Sequence, residues 1–336
     1  MTVSAVILAY GAEPYLTDCV RAVLASRDVE VETVVVDNGC TSDAIGVVKN
    51  LPGVRVLTPA ENTGYAGGTV LGAAETTGSV LVFVNSDAVV APDAIAKMVA
   101  VAAEPSVGMA MGSIRLASDL SLINTSGNPL HYVGLVWAGG YNQPATAYPD
   151  RRQVPSGSGC CFAIRRSVWE DLGGFAPEYF AYHEDTELSI RLWHRGLSCD
   201  YVPDAVVAHH YEFSRNDFKS YLLERNRLIL LFTTYQTHSL VLLAPMLALT
   251  EVAMLTAAVA GGWGGAKVRG WRWILSHRAF VKARRARLQS ERTQPDKALV
   301  PRMTDRFDPS NVEAPPGIAV FNLLTRAYWA AARRLI

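Results

Sequence analysis

Val80-Leu81-Val82-Phe83-Val84-Asn85-Ser86-Asp87 decides the fold. Five apolar residues in unbroken succession, most of them β-branched, read as a strand buried on both faces. The three polar residues that follow put its carboxyl end at a crevice. The same grammar recurs in Val3 to Ala9, in Glu32 to Asp37 and, more briefly, in Val54 to Thr58, with Pro14 to Ser26 as a helix between the first two. Strands alternating with helix-length segments give an α/β chain, a Rossmann-like mixed but mostly parallel sheet with helices on both faces. In such sheets the ligand lies beyond the carboxyl ends of the strands, so Asp37 and Asp87 are expected to meet at one site.

Further along the signal weakens. Between Gly108 and Pro155 short apolar pieces are broken by Asn128-Pro129, Gly139-Gly140 and Pro149, which reads as hairpins and a long loop. Gly157-Ser158-Gly159 is a flexible loop feeding a strand that runs to Arg165, and Ser167 to Leu172 is a short helix. Glu184 to Gly196 is helical, with Leu188, Leu192 and Trp193 along one face, and Tyr201 to Ala208 is a strand.

The composition, 336 residues of which 50% are hydrophobic and 18% charged, excludes disorder, collagen and small disulfide scaffolds. Five cysteines with no C-x-x-C pair argue against both a disulfide framework and a zinc cluster and favour a reducing compartment. Met1 to Leu8 has no basic region before its apolar run, so no export signal is expected. The zero net charge is divided: −10 over residues 1–220 and +10 over residues 221–336. In the basic part, Ser239 to Gly261 contains one charge, Glu251, and one proline, Pro245. That stretch is long enough to cross a hydrocarbon core of about 30 Å. Lys267 to Arg292 then carries nine Lys and Arg against the single acid Glu291, near Trp263, Trp271 and Trp273. Cations beside tryptophans are expected at an anionic lipid headgroup layer on the cytoplasmic face, with the apolar stretch either spanning or lying on the membrane. The alternative is an apolar helical hairpin packed on the rest of the chain with a solvated basic face.

Several residues are suited to chemistry. Asp37, before the turn-former Asn38-Gly39, can accept hydrogen bonds from a ribose or base, or can merely cap its turn. Asn62-Thr63-Gly64-Tyr65-Ala66-Gly67-Gly68 reads as a loop whose glycines permit close backbone approach, Asn62 offering both donor and acceptor. It is not the dinucleotide fingerprint, and the sequence after the first strand, Ala9-Tyr10-Gly11-Ala12-Glu13-Pro14, is not either. Asn85-Ser86-Asp87 is a candidate hard-cation site or a plain turn, since one carboxylate plus diphosphate oxygens and water commonly holds Mg2+ or Mn2+. Glu184-Asp185, after Tyr179-Phe180-Ala181-Tyr182-His183, stands where acids cap a helix, or where a carboxylate walled by aromatics serves as a general base. His209-His210 at a strand end can add a metal ligand.

In this order the pieces resemble glycosyltransferase family 2, the inverting nucleotide-sugar transferases of GT-A fold, and within it the bacterial rhamnosyltransferase-like members. The matching stretches are Val34 to Gly39, Glu61 to Gly68, Val84 to Asp87, Gly157 to Arg166, His183 to Leu188 with Arg191, and His209 to Asn216 followed by Glu224-Arg225-Asn226. The resemblance implies a catalytic domain over 1–220, its nucleotide-sugar half at about 1–105 and its acceptor half at about 106–220. A helical, membrane-associated region follows over 221–336. It implies nucleotide contacts from Ala9, Tyr10, Asp37, Asn62, Gly64 and Gly67, and a divalent metal, Mg2+ or Mn2+, on Asp87 and His209. Asp185 is implied as the acceptor-activating base. Asn85, Ser86, Gly159, Cys160, Cys161, Glu184 and Arg191 are placed beside the donor sugar or the acceptor. Asn85 replaces the first acid of the family's Asp-x-Asp motif, leaving one acidic ligand, and the Gln-x-x-Arg-Trp motif of processive synthases is missing, so a single sugar addition is expected.

The expected activity is therefore transfer of a sugar, rhamnose from dTDP-rhamnose first, from a nucleotide-diphosphate donor to a lipid-linked glycan of the cell envelope. A sugar nucleotidyltransferase is the enzymatic alternative, disfavoured because residues 10–20 hold no cation to steady a triphosphate. A catalytically inactive envelope scaffold is the other, kept open by Asn85. Nucleic acid is not the expected partner of the basic stretch, because the adjoining apolar run and tryptophans fit lipid better.

Overall fold

The computed structural model describes residues 2–211, 216–310 and 317–336. Glu212, Phe213, Ser214 and Arg215, part of the His209 to Asn216 stretch, lie outside the described residues. The chain divides into two compact units. The first comprises Met1–Asn128, Ala138–Ser189 and Leu197–Glu212; the second comprises Pro129–Trp137, Ile190–Gly196 and Phe213–Ile336.

In chain order the elements are β1 (Val3–Gly11), α1 (Leu16–Leu24), β2 (Val31–Cys40), α2 (Ala44–Lys49), β3 (Val54–Leu57), α3 (Gly64–Ala74), β4 (Val80–Asn85), β5 (Ala88–Val90) and α4 (Ala94–Ala102). There follow β6 (Val107–Leu116), β7 (Asp119–Thr125), β8 (Leu130–His131), β9 (Arg152–Gln153), β10 (Cys161–Arg165), α5 (Arg166–Leu172), α6 (Glu184–His194) and β11 (Ser198–His209). The remainder is α7 (Asp217–Thr234), α8 (Thr237–Ala260), α9 (Gly264–Ser276), α10 (Arg278–Glu291), β12 (Met303–Thr304) and α11 (Ile318–Ala332).

The first unit is built on one mixed sheet of order β3-β2-β1-β4-β10-β6-β11-β5, with β7 on β6 and β9 on β11. β3, β2, β1 and β4 are mutually parallel, as are β6 and β11, whereas β10 runs antiparallel to both its neighbours. Val3 to Leu8 of β1 and Val80 to Val84 of β4 are buried without alternation, as strands covered on both faces must be. Each fully buried valine or isoleucine there contributes about 1.5–3 kcal/mol. α1 buries Leu16, Cys19, Val20 and Val23, one face at helical spacing.

Two local expectations are corrected. The stretch from Gly64 is helix rather than loop: α3 begins there and runs to Ala74. Its glycines serve sheet contact, because a Cβ on Gly68 would lie 2.1 Å from Leu8 of β1 and one on Gly72 would lie 2.5 Å from Val6. The weak region contains a ten-residue strand, β6, hidden from a propensity scan by small and unbranched residues in Gly108-Met109-Ala110-Met111-Gly112-Ser113. Burial and pairing with β11 override that propensity, and the hairpin to β7 follows it.

In the second unit α7 is buried almost throughout from Leu222, and its Asn216 N-cap accepts from Lys219 N. Around α7, α8 and α9 lies a balanced ionic cluster in which Lys267 bonds Glu224 and Glu251, Arg227 bonds Glu251, and Trp271 Nε1 donates to Glu251 at 2.7 Å. Two cations against two acids keep the net buried charge at zero, the condition for such a cluster to be tolerated. Much of the basic run is spent inside the unit. Arg285 donates to the carbonyls of Phe232 and Tyr235 at the end of α7, Arg292 pairs with Asp296, Arg269 with Asp217 and Arg287 with Glu291. Of the nine cations of Lys267 to Arg292, Lys267, Arg269, Arg285, Arg287 and Arg292 thus have partners within the unit.

Candidate active site

Register brings the strand ends together. Ala9 of β1 is paired with Asp37 of β2, and Leu8 with Asn85 of β4, so Ala9, Tyr10, Asp37 and Asn85 share one edge of the sheet. Asp37 is half-buried, and its Oδ1 accepts from Gly39 N at 3.3 Å and Cys40 N at 2.9 Å. One carboxylate oxygen thus caps the turn. Tyr10 is 59% exposed and lies along Gly39, leaving an open aromatic face at the crevice.

Asn38, read in the sequence only as a turn-former, ties this edge to α3. Its Nδ2 donates to Asn62 Oδ1 at 2.7 Å, and its Oδ1 accepts from Thr63 N at 2.9 Å. Asn62 Oδ1 also accepts from Gly64 N, so the acceptor half of Asn62 is used inside the protein and its NH2 remains for other contacts. The space beside Gly64 and Gly67 is filled by protein: a Cβ on Gly64 would stand 2.3 Å from the Phe180 carbonyl oxygen, and one on Gly67 2.9 Å from Thr63. Ala66 N donates to that same Phe180 oxygen, at 2.9 Å. Phe180, Tyr182 and His183 all have positive φ, at 62°, 71° and 68°. Three non-glycine residues held in this region just before α6 mark a segment fixed by its surroundings at a local energetic cost.

Asp87, between β4 and β5, meets His209 at the end of β11, with Asp87 Oδ1 3.2 Å from His209 Nε2. His209 Nδ1 is 3.0 Å from Oδ1 of Asn124, a buried residue of β7 in the region where the sequence signal was weak. With that carbonyl as acceptor, Nδ1 carries the hydrogen and the Nε2 lone pair faces Asp87, where the two side chains can share a cation. A ligating histidine oriented by an outer carbonyl has this form. Asn85 Oδ1 is buried without a hydrogen-bond partner two residues upstream. Among the described residues no three His, Cys, Asp or Glu side chains converge on a cation. Asp87 and His209 therefore fit a metal that takes its other ligands from diphosphate oxygens and water, as Mg2+ and its relatives do at phosphate sites. His210 points elsewhere: its ring stacks on Tyr15 at 3.6 Å, and its backbone N–H donates to Asp87 O. Glu13, also missed, is half-buried, accepts from Tyr10 N at 2.7 Å, and has its carboxyl pushed up by burial beside Ser86 and Asp87.

Gly159 and Cys160 join the two sides of the crevice. Asn85 N donates to Cys160 O at 2.8 Å, Gly159 N donates to Asp185 Oδ2 at 2.9 Å, and Tyr65 Oη donates to Gly159 O at 2.6 Å. One dipeptide thus spans from the strand end carrying Asn85-Ser86-Asp87 to the first turn of α6. Cys160 and Cys161 are buried, and burial pushes the Cys161 thiol up to about 12, so both act as packing groups. Asp185 Oδ1 accepts from Thr186 N at 2.6 Å. Burial raises the carboxyls of Glu184 and Asp185 alike, and the Asp185 charge raises Glu184 further, whereas the N–H groups of Gly159 and Thr186 draw Asp185 back. Of the two carboxyls Glu184 is raised the further, so it holds a proton more readily than Asp185. Glu184 Oε2 is buried without a hydrogen-bond partner. Arg191, on the same helix, is buried and belongs to the second unit.

A mixed α/β sheet with such a crevice at its parallel strand ends is the GT-A architecture. A structure of GalNAc-T7 with UDP, GalNAc and Mn2+ superposes with TM-score 0.58 at 18% identity over 71% of this chain, which spans about half (49%) of that one. A mannosyltransferase of Pyrobaculum calidifontis, solved with GDP-Man and Mn2+, gives 0.53 at 19% identity, covering 86% of this chain and 85% of its own. These similarities show the fold. The model of the family described as glycosyltransferase like family 2 matches residues 2–229, and the chain belongs to that family; it is a glycosyltransferase. Among curated relatives, an N-acetylglucosaminyl-diphospho-decaprenol L-rhamnosyltransferase of Mycobacterium tuberculosis is 28% identical over 231 residues, 61% of this chain and 75% of the relative. An N-acetylglucosaminyltransferase of Sinorhizobium fredii is 26% identical over 220 residues, 62% of this chain and 52% of its own length.

Proposed function

We propose that this glycosyltransferase moves a sugar, rhamnose first, from a nucleotide-diphosphate donor to a polyprenyl-diphosphate-linked saccharide at the cytoplasmic face of the membrane, by one inverting displacement. The observation that carries the proposal is the Gly159-Cys160 bridge, which holds Asp185 and the Asn85 to Asp87 strand end on one crevice. The rhamnosyl group and the diphospho-decaprenol-linked acceptor named for the mycobacterial relative support the choice of sugar and lipid-linked acceptor.

In this proposal Tyr10, Asp37 and the NH2 of Asn62 take the nucleoside. Asp87 and His209 would hold the divalent cation, with Asn124 fixing the histidine tautomer. When bound, the cation supplies Lewis-acid neutralisation of the leaving diphosphate. Asp185, whose charged form accepts from two backbone N–H groups, takes the proton from the acceptor hydroxyl, a contribution of about 10²- to 10⁴-fold. Glu184, neutral beside it, offers a hydrogen-bond donor without competing for that proton. No covalent nucleophile is needed, since one carboxylate acts as base and the diphosphate leaves from the opposite face.

The test is release of nucleoside diphosphate by the full chain from dTDP-, UDP- and GDP-sugars with a polyprenyl-diphosphate-N-acetylglucosamine acceptor, with Mn2+ and with chelator. Acceptor-dependent release from dTDP-rhamnose supports the proposal. Turnover confined to another donor, or to a soluble acceptor, overturns its finer part.

A further inference from the structure

α8 is an unusual helix for the surface of a folded unit. It has 24 residues with a mean hydropathy of 2.0 over its most apolar window, yet only 17% of that window is buried. Its buried positions, Ser239, Leu243, Met246, Thr250 and Ala258, form one stripe at helical spacing. Away from that stripe Val241, Val252 and Val259 stand 69%, 63% and 68% exposed. α11 runs antiparallel beside the first half of α8, with Tyr328 Oη donating to Leu242 O and His238 Nε2 lying 2.9 Å from Leu335 O. It adds Val320 and Leu323, 61% and 67% exposed. Scattered exposed apolar residues need no explanation, but two adjacent helices presenting them along their lengths do.

The charges say what covers this face and in which orientation. Glu251, the only charged residue of α8, is held by Arg227 of α7 and Lys267 of α9, so the exposed face of α8 carries no ionised group. Residues 317–336 contain no acid, and Arg326, Arg333 and Arg334 are exposed there. This complements an anionic lipid surface. Glu251 lies near the middle of α8, however, and α7 beside it carries Asp217, Lys219, Glu224, Arg225 and Arg227. An α8 standing across a bilayer would place that ionic cluster near the hydrocarbon midplane, where charges are expelled. α11, with 15 residues, is about 22 Å long, too short for a core of about 30 Å.

We infer that α8 and α11 form an in-plane lipid-binding face, an antiparallel pair sunk to the headgroup–acyl boundary of an anionic bilayer and crossing nothing. The choice of a bilayer over a second copy of the chain rests on the lipid-linked-acceptor reading above. The face itself stands on the geometry of the second unit.

The test uses the full chain and vesicles of phosphatidylglycerol and phosphatidylcholine, with pure phosphatidylcholine as comparison. Flotation with the anionic vesicles is expected, together with a loss of at least about tenfold in partitioning for Val252→Glu with Leu323→Glu, two exposed positions of the second unit. Single cysteines at Val241, Val252 and Val259, introduced with Cys40→Ser because the other four native cysteines are buried, carry a fluorophore read by nitroxide-labelled lipids. Equal, shallow quenching at all three positions is expected. A deep Val252 between shallow ends would overturn the in-plane orientation. Failure to float, unchanged flotation of the double variant, or a dimer that vesicles do not dissociate would overturn the lipid face. Donor turnover measured in parallel keeps that outcome separate from failure of the catalytic proposal.

Discussion

Replacing Asp185 by Asn tests the catalytic proposal with two separable effects. As the proposed base, Asp185 would contribute about 10²- to 10⁴-fold, which is about 2.7–5.4 kcal/mol of transition-state free energy. The structure adds a second consequence. Both carboxylate oxygens accept from backbone, Oδ1 from Thr186 N and Oδ2 from Gly159 N, and an amide has only one oxygen to offer. One N–H must then face an NH2 group, at a cost of about 1–3 kcal/mol in folding stability. Asp185→Asn should therefore lower turnover at least 100-fold and lower the urea midpoint, while donor nucleotide affinity measured by calorimetry stays within a few-fold. A variant with the expected drop in urea midpoint but turnover within about tenfold of wild type would remove Asp185 from the role of base.

Asp87→Ala should abolish the Mn2+ dependence of nucleotide-diphosphate binding, and full activity in chelator would contradict the assignment of a metal to Asp87 and His209. Gly64→Ala puts a Cβ against the Phe180 carbonyl at a φ of +71°; strain and overlap together should cost about 2–4 kcal/mol in chemical denaturation, and a neutral result would show that Phe180 moves freely away from α3. Glu184→Gln probes pH. The Glu184 carboxyl is raised above its ordinary value of 4.5 in the folded chain, so its stabilising protonation is fully present below that value and is lost as pH rises through the folded pKa. The neutral glutamine should flatten that decline in melting temperature as pH rises above the ordinary value of 4.5, and curves parallel to wild type would show that Glu184 titrates as an exposed acid does.

Much of this was present in the chain as a string of residues. Unbroken apolar runs ending in polar residues announce parallel strands and their carboxyl-end crevice, because period and burial are local properties that a short window displays. Asp37, Asp87, Asp185 and His209 could be picked out for the same reason, each standing at the end of a recognisable element. Asn38, Asn124, Glu13 and the Gly159-Cys160 bridge could not, since their significance lies in partners 25 to 94 residues away or, for Glu13, in burial beside a strand end formed more than 70 residues later. Only tertiary packing decided that Gly64 opens a helix rather than a loop, because the contact that fixes it is with Phe180, and that Pro129–Trp137 joins the helices of the second unit. The fate of Glu251 is the clearest division. Sequence shows one acid interrupting an apolar run, but whether that acid meets lipid, water or a cation depends on Arg227 and Lys267 arriving from other helices, and electrostatic pairing over a few ångströms leaves no trace in linear order.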